Sequence, residues 1–272
     1  RVLRARRGPG RARGARGAME AAMTDALRTE GLVKRFGGLT AVSGVSLSLP
    51  AGSRHALIGP NGAGKTTLIN LLTGVLVPSE GDVFLRGERI TALKPHRRVK
   101  RGLSRTFQIN TLFPGLSVLE SVVLAVLERK GLGARCLRPV SSYREELDEA
   151  RSILAGLKLE RDAETRTAEL AYGRQRLVEI ALALAARPTI LLLDEPAAGI
   201  PSRESVEVFS AIASLPRDVT ILFIEHDMGL VFRFAERITV LVGGRVLTQG
   251  TPAEIAGNDE VKAVYLGEAD VG

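Results

Sequence analysis

Cysteine is almost absent from this chain of 272 residues, which has only Cys136. A single thiol excludes a scaffold held together by internal disulfide bonds and suits a reducing compartment such as the cytoplasm. Long apolar runs are also missing. The best candidate, residues 118–127, contains Glu120 and is shorter than the roughly 18 residues that a membrane-spanning helix needs. The sequence therefore predicts a protein that does not span a membrane, with ample length for an α/β core.

The first 18 residues lack acidic side chains and hold seven arginines. Removing their charge from the formal +8 leaves about +1 for residues 19–272, which argues against a basic face for nucleic acid. We interpret residues 1–22 as a disordered arginine-rich tail, because apolar residues are few there. Its simplest origin is upstream sequence translated from a misplaced start, since Met19 and Met23 lie directly behind it. Binding to RNA or to a membrane surface, and a transit function, stay open as alternatives.

Beyond this tail the pattern of apolar residues changes along the chain. The stretch from Leu27 to Pro50 alternates in a way that predicts half-buried antiparallel strands. Later strands alternate with helices, which is typical of a parallel-sheet α/β core. We therefore predict one α/β domain over residues 24–269, with an antiparallel β subdomain and an inserted α-helical subdomain at about 108–180.

The stretch GPNGAGKTT fits the phosphate-binding pattern G-x-x-x-x-G-K-[ST], with a strand before it and a helix after it. Its glycines let successive backbone N–H groups point at phosphate oxygens, and the following helix adds its positive end. Lys65 is expected to reach the β- and γ-phosphates, and the Thr66 hydroxyl to hold Mg²⁺. The predicted phosphate-binding residues are Gly59, Pro60, Asn61, Gly62, Ala63, Gly64, Lys65, Thr66 and Thr67.

Two adjacent carboxylates, Asp194 and Glu195, end the apolar strand TILLLDE. The carboxyl ends of strands are where open α/β sheets bind ligands. We predict that Asp194 completes the Mg²⁺ shell, typically through water, and that Glu195 is the general base for the attacking water. A small GTPase is excluded because the guanine motif N-K-x-D is absent from the sequence.

The stretch Leu170–Gln175, LAYGRQ, together with these two motifs resembles the ABC ATPases, whose signature is Leu-Ser-Gly-Gly-Gln. Three of its five positions differ, but it opens a helix that precedes the strand ending in Asp-Glu-Pro. The family also has a glutamine that matches Gln108 in SRTFQ, a histidine that matches His226 in FIEHD and an upstream aromatic residue that matches Phe36 in VKRFGG. The resemblance covers about residues 27–269 and implies a P-loop NTPase of the ABC ATPase type.

This resemblance implies a site shared by two subunits that pack head to tail. The backbone N–H groups of Tyr172 and Gly173 would bind the γ-phosphate of ATP on the other subunit. Gln108 would act in catalysis and bind the metal, linking it to the helical subdomain, and His226 would sense the γ-phosphate. Phe36 would stack on adenine, with core packing as its alternative. For Arg174, contact with nucleotide across the interface and a position on the solvent side of the helix are both open. Pro201 stands near the position of a usual aspartate, which puts signalling through that loop in doubt.

Stretches such as FGGLTAVSGVSLSL and the ending VKAVYLGEA look like the ATPases of branched-chain amino-acid importers, and the long helical segment looks like the larger of their two ATPases. Such systems imply two permease subunits, a second ATPase subunit and a periplasmic binding protein, with the ATPase bound at the cytoplasmic face of the inner membrane. Urea, amides or aromatic acids are alternative cargoes. A soluble ABC protein acting on DNA or ribosomes is the alternative from another class, and the nearly neutral domain argues against nucleic acid.

Overall fold

The computed structural model describes residues 25–106, 112–133, 139 and 142–266. The predicted tail, residues 1–22, and the predicted site residue Gln108 lie outside these described residues. Within the described part of the chain, the helices are all too short or too polar to cross a membrane.

Eleven strands, distributed over two sheets, are found in the described residues. In chain order they are β1 (Asp25–Phe36), β2 (Leu39–Val45), β3 (Ser48–Pro50), β4 (Arg54–Ile58), β5 (Glu80–Leu85), β6 (Glu88–Arg89), β7 (Leu103–Arg105), β8 (Ile190–Asp194), β9 (Thr220–Ile224), β10 (Arg237–Val242) and β11 (Arg245–Gly250). The antiparallel sheet has the order β2-β1-β5-β6, and β3 also pairs with β1. It confirms the half-buried antiparallel strands expected at the start of the domain.

The second sheet has the order β11-β10-β4-β9-β8-β7, and all of its pairs are parallel except β10 with β11. Three of its four inner strands, β4, β9 and β8, are buried along their whole length, as expected for a parallel sheet covered on both faces. In the register of these strands, Ile224 of β9 lies between Leu57 of β4 and Asp194 of β8. The carboxyl ends of all three strands therefore meet at one edge of the sheet.

Nine α-helices are formed by the described residues. They are α1 (Lys65–Thr73), α2 (Pro95–Val99), α3 (Val118–Arg129), α4 (Arg144–Gly156), α5 (Tyr172–Ala185), α6 (Ser202–Ala213), α7 (Met228–Phe234), α8 (Pro252–Gly257) and α9 (Asp259–Leu266). The helices α3, α4 and α5 pack against one another in the middle of the chain, where the sequence predicts a helical subdomain. The limits of that subdomain stay a prediction, because residues 107–111 lie outside the described part.

Each face of the parallel sheet buries its own apolar cluster. On one face Leu57, Leu192 and Leu222 pack with α1 and the antiparallel sheet. On the other face Leu193 and Ile221 pack with the helices, α3, α4 and α5 among them. Neighbouring residues of a strand point to opposite faces, so these buried strands need apolar side chains at almost every position. The result is a layered α/β domain with the parallel sheet in the middle.

Arg98 of α2 fastens the end of the helix that follows the phosphate loop. It is 1% exposed, and its guanidinium donates to the carbonyl oxygens of Leu71 at 2.8 Å, Leu72 at 2.6 Å, Thr91 at 2.8 Å and Leu93 at 3.0 Å. Burial lowers the pKa of Arg98 to about 10. Because the last carbonyl groups of a helix have no partner within it, a cation there stabilises α1 and fixes its position.

His55 of β4 is fully buried, and its Nε2 lies 2.7 Å from Thr239 Oγ1 of β10. Burial, with a smaller effect from the charge of Arg237, lowers the pKa of His55 from 6.5 to about 4. Between pH 6.5 and about 4, His55 is therefore protonated in the unfolded chain and neutral in the folded chain. The free energy of unfolding should fall by about 3 kcal/mol through this one group as the pH drops from 6.5 towards 4.

We expect His55→Gln to flatten the pH dependence of unfolding between pH 6.5 and 4, measured by urea denaturation. The matched control is His96→Gln, since His96 is exposed on α2 and should leave the dependence as in the parent chain. If the free energy of unfolding falls with pH equally steeply in the parent chain and in His55→Gln, burial of His55 is not the cause of the acid sensitivity.

Candidate nucleotide-binding site

The predicted phosphate loop, residues 59–67, follows β4 at the carboxyl edge of the parallel sheet and continues into the first turn of α1. At two positions of this loop, Gly59 and Gly64, only glycine fits without a steric clash. A Cβ at Gly59 would lie 2.0 Å from Leu241 O, and one at Gly64 would lie 2.4 Å from Ala41 O, with φ at +151° and +98°. The backbone can thus lie against both neighbouring segments and turn into α1. The first turn of α1 has no acidic residue, so its N–H groups present a positive end to an anion.

Lys65 opens α1 and is 7% exposed. Its Nζ donates to the carbonyl oxygens of Gly59 at 2.5 Å and Pro60 at 2.9 Å. These bonds fold the side chain back along the loop, so the ammonium lies beside the loop backbone. A fixed cation next to backbone donors is an arrangement suited to a phosphate chain.

The two predicted carboxylates differ in their surroundings. The side chain of Asp194, the last residue of β8, is 2% exposed and accepts from Arg105 at 2.6 Å, while that of Glu195 is 28% exposed. Arg105 also donates to Asn70 of α1 at 2.7 Å, so it ties β8 to the helix of the phosphate loop. Sequence reasoning missed Arg105. Its signal was a charged residue in the short strand β7, within the same segment SRTFQ that contains Gln108.

His226 follows β9 by two residues, and its Nε2 lies 3.0 Å from Glu195 Oε1. Its side chain is half exposed at 47%. Glu195 and His226 belong to different strand ends, and the parallel pairing of β8 with β9 brings them together. The contact leaves a carboxylate and an imidazole side by side at the rim of the phosphate loop, where both can reach a bound molecule.

A pocket of about 360 Å³ lies over this edge of the sheet. Its lining residues are Phe36, Leu39, Ala41, Asn61, Gly62, Ala63, Gly64, Lys65, Thr66, Thr67, Glu195 and His226. Phe36 is 46% exposed, so the alternative of core packing for this side chain is wrong. Leu39 and Ala41 were missed by the sequence analysis, although Leu39, 66% exposed, is an apolar residue just after the turn that follows Phe36. Ten of the predicted residues thus share one pocket, with Asp194 buried beside them.

Tyr172 and Gly173 do not line this pocket. They form the N-terminus of α5 and pack against the loop that follows Asp-Glu-Pro in the same chain. The Tyr172 ring lies against Gly199, its hydroxyl accepts from Arg176 at 2.6 Å, and a Cβ at Gly173 would lie 2.9 Å from Glu204. Their separation from the pocket of their own chain is compatible with a site completed by a second subunit.

Arg174 is one-third exposed and binds its own chain. Its Nε donates to Asp162 Oδ2 at 2.9 Å, and its Nη2 donates to the carbonyl oxygen of Lys158 at 2.7 Å. These contacts hold the first turn of α5 to the segment that follows α4. The side chain is therefore held within its own chain by an ion pair and a hydrogen bond.

The proteins to which this chain is similar agree with a nucleotide-binding site at this pocket. The family model for the ABC transporter matches residues 42–198, and that for the branched-chain amino acid ATP-binding cassette transporter matches residues 245–271. The high-affinity branched-chain amino acid transport ATP-binding protein LivG of Escherichia coli K12 is 42% identical over 250 residues, which are 89% of this chain and 98% of the relative.

Two solved structures extend this comparison. The ADP conformation of MJ1267, an ATP-binding cassette of an ABC transporter, superposes with a TM-score of 0.79 at 32% identity, covering 89% of this chain and 99% of that one. The dimeric post-hydrolysis state of the cassette MJ0796, bound to ADP and Pi, has a TM-score of 0.68 at 26% identity, covering 83% and 98%. These likenesses confirm the predicted fold class, a P-loop NTPase core of the ABC ATPase type. With its nucleotide-binding pocket and its match along most of its length, the chain belongs to the ATP-binding ATPase subunits of ABC transporters.

Proposed function

We propose that this chain binds and hydrolyses ATP to drive an ABC importer of branched-chain amino acids. The observation that carries the hydrolytic part is the pocket itself, in which the phosphate loop, Glu195 and His226 converge from the ends of three adjacent parallel strands. The cargo rests on the relatives, since the family model at residues 245–271 and LivG both bear the name of branched-chain amino acid transport.

Different residues of the pocket would bind the phosphates and the adenine ring of ATP. Lys65 and the loop N–H groups would bind the β- and γ-phosphates, because charge-assisted hydrogen bonds to phosphate are strong. Phe36, exposed at the rim, would stack on the adenine ring. The rest of the loop, residues 59–67, would enclose the phosphate chain through its backbone.

Hydrolysis would depend on the two side chains at the strand ends. Glu195 Oε1, already within 3.0 Å of His226, would accept a proton from the attacking water. His226 would orient that carboxylate and contact the γ-phosphate through its imidazole. Gln108, outside the described residues, keeps its predicted role beside the metal.

The residues present fit a Mg²⁺ ion. Asp194 Oδ1 is buried and has no hydrogen-bond partner among the described residues, although the other oxygen is bound to Arg105. Thr66 lines the adjacent nucleotide-binding pocket, and carboxylate and hydroxyl oxygens are the ligands that Mg²⁺ prefers. Thr66, Asp194 and Gln108 would hold the ion, and when bound it would neutralise charge on the β- and γ-phosphate oxygens.

A second subunit would complete the site. Tyr172 and Gly173 are fixed at the N-terminus of α5, away from the pocket of their own chain, and would present their N–H groups to ATP held by another ATPase subunit. The dimeric state of MJ0796 with ADP and Pi supports such an arrangement. Ala171, which lacks the hydroxyl usual at this position, would weaken closure of a homodimer, and a heterodimer with a second ATPase would restore it.

The remaining partners follow from the same proposal. Two permease subunits would carry the cargo, a periplasmic binding protein would deliver it, and the ATPase would sit peripherally at the cytoplasmic face of the inner membrane. Urea, amides and aromatic acids stay as alternative cargoes. Action on DNA or ribosomes is the alternative from another class.

Cargo can be tested by reconstituting the chain with its permeases, second ATPase and binding protein in proteoliposomes. We expect leucine to stimulate ATP hydrolysis and to be taken up, while urea and benzoate do neither. Stimulation by urea or benzoate alone would assign the system to that cargo instead. Copurification with ribosomes or DNA rather than with permeases would contradict an importer altogether.

A further inference from the structure

Glu225 is a buried carboxylate between the loops that carry Glu195 and His226, and it has no part in the functions described so far. It directly follows β9 and is 6% exposed. Its Oε1 accepts from the backbone N–H of Ala197 at 2.9 Å, and its Oε2 accepts from the backbone N–H of His226 at 3.2 Å. One side chain thus binds the backbone of both loops.

The loop after β8 needs such support. Glu195 has φ at +51°, a left-handed conformation that is costly for any residue other than glycine and persists only where neighbours enforce it. Its N–H donates to Ile224 O at 3.1 Å, and its carbonyl accepts from Ala198 N at 3.0 Å. The bond from Ala197 to Glu225 closes this turn onto the end of β9. The strained backbone of Glu195 is therefore held from the neighbouring strand.

The same carboxylate holds the backbone of His226, whose imidazole meets Glu195 Oε1 at 3.0 Å. A shift of either loop would change that distance, because the two side chains approach from different strands. Glu225 connects the two backbones next to the point where the side chains meet. Its bonds fix the separation that the contact requires.

A carboxylate in this place carries an energetic cost. Burial raises the pKa of Glu225, and the nearby charge of Glu195 adds to the rise, while backbone bonds from Ala197, His226 and Asp227 oppose it. A buried acid is destabilising unless its oxygens are bound. The N–H groups of the two loops supply that compensation.

We infer that Glu225 is a positioning residue for ATP hydrolysis, which holds Glu195 and His226 in their mutual geometry by bonding the backbone of both loops. It does not line the nucleotide pocket and would not touch ATP. The inference rests on the proposed function of Glu195 and His226.

Glu225→Gln in the full chain tests this role. Glutamine has nearly the same size but a single acceptor oxygen, so a backbone N–H group bound to the other oxygen loses its partner. We expect kcat for ATP hydrolysis to fall about tenfold while KM for ATP stays within about twofold, because the phosphate loop is untouched. Glu225→Asp, which keeps the charge but shortens the reach, should show the same split if the glutamine variant folds poorly.

The matched control is Glu146→Gln. Glu146 on α4 is also buried, at 7% exposure, and accepts from Lys130 at 2.7 Å, far along the chain from the strand ends of the site. Glu146→Gln should lose about as much thermal stability as Glu225→Gln and keep the kcat of the parent chain. Equal kcat in Glu225→Gln and the control would overturn the inference, as would a loss confined to KM.

A His226→Ala background separates positioning from general support of the fold. If Glu225 acts through the contact of Glu195 with His226, that contact is already lost in His226→Ala. The double variant with Glu225→Gln should then have a kcat within about twofold of the kcat of His226→Ala alone. A full tenfold further loss would overturn the inference and leave the proposed function intact. A parent chain that hydrolyses no ATP even with its partner subunits would overturn both.

Discussion

Glu195→Gln chains mixed with ATP and Mg²⁺ are expected to bind ATP, fail to cleave it, and elute as a long-lived dimer in size-exclusion chromatography. Glutamine preserves the shape of the side chain but cannot accept the proton of the attacking water, so the rate should fall by roughly 10²–10⁴. The side chain is only 28% exposed and meets His226 at 3.0 Å, so its environment is set by the fold and the substitution changes chemistry more than structure. With ADP in place of ATP, monomers are expected, since α5 of the second subunit would grip mainly the γ-phosphate.

The control for this variant is Glu207→Gln, because Glu207 is exposed on α6 outside the pocket and should leave hydrolysis unchanged. Ala171, without a hydroxyl, is expected to weaken the binding of α5 to the γ-phosphate, and Arg174 forms an ion pair with Asp162 of its own chain. A homodimer too weak to survive the column should therefore be restored as a heterodimer by the paired second ATPase. Glu195→Gln chains that stay monomeric with ATP, both alone and with that partner, would contradict the shared site.

Lys65→Ala should abolish measurable ATP turnover and weaken ATP binding by about 10- to 100-fold. Removing one charge-assisted bond to phosphate costs about 1.5–3 kcal/mol, and about 1.4 kcal/mol corresponds to a factor of ten. The variant also removes the two bonds from Lys65 to Gly59 and Pro60 that hold the loop curled. Titration with a fluorescent ATP analogue measures the binding.

Lys94→Ala provides the matched control, since Lys94 is exposed ahead of α2 and is no part of the pocket. Thermal denaturation of both variants separates a loss of binding from a loss of fold. If folded Lys65→Ala protein hydrolyses ATP at a near-normal rate, the loop at residues 59–67 is not the active site.

Part of this molecule can be predicted from the sequence because it depends on local patterns. The strand before GPNGAGKTT and the helix after it were both expected, and α1 runs from Lys65 to Thr73 with Gly74 as its cap. Alternation of apolar residues identified the first strands of the domain. Such features are set by residues within about one turn or one strand of each other.

Local sequence patterns could not predict which charged residues are buried inside the fold. Arg98 reads as one member of the basic stretch PHRRVKR, yet it alone is buried there and binds the end of α1. Glu225 reads as an ordinary acid before a histidine, and its partner Ala197 lies in another loop. Whether a charged side chain faces water or is bound by backbone carbonyl or N–H groups depends on which segments the folded chain packs against it.

The sequence by itself determined the chemistry available to this protein: a phosphate loop with Lys65, a pair of carboxylates and a histidine, each at the end of a predicted strand. Only the tertiary structure decided their geometry. The order β4-β9-β8 is set by pairing between segments far apart in the chain, and it places Glu195 3.0 Å from His226 and both beside the loop. Strand pairing over such separations follows from how whole apolar faces pack, which no short stretch of sequence encodes.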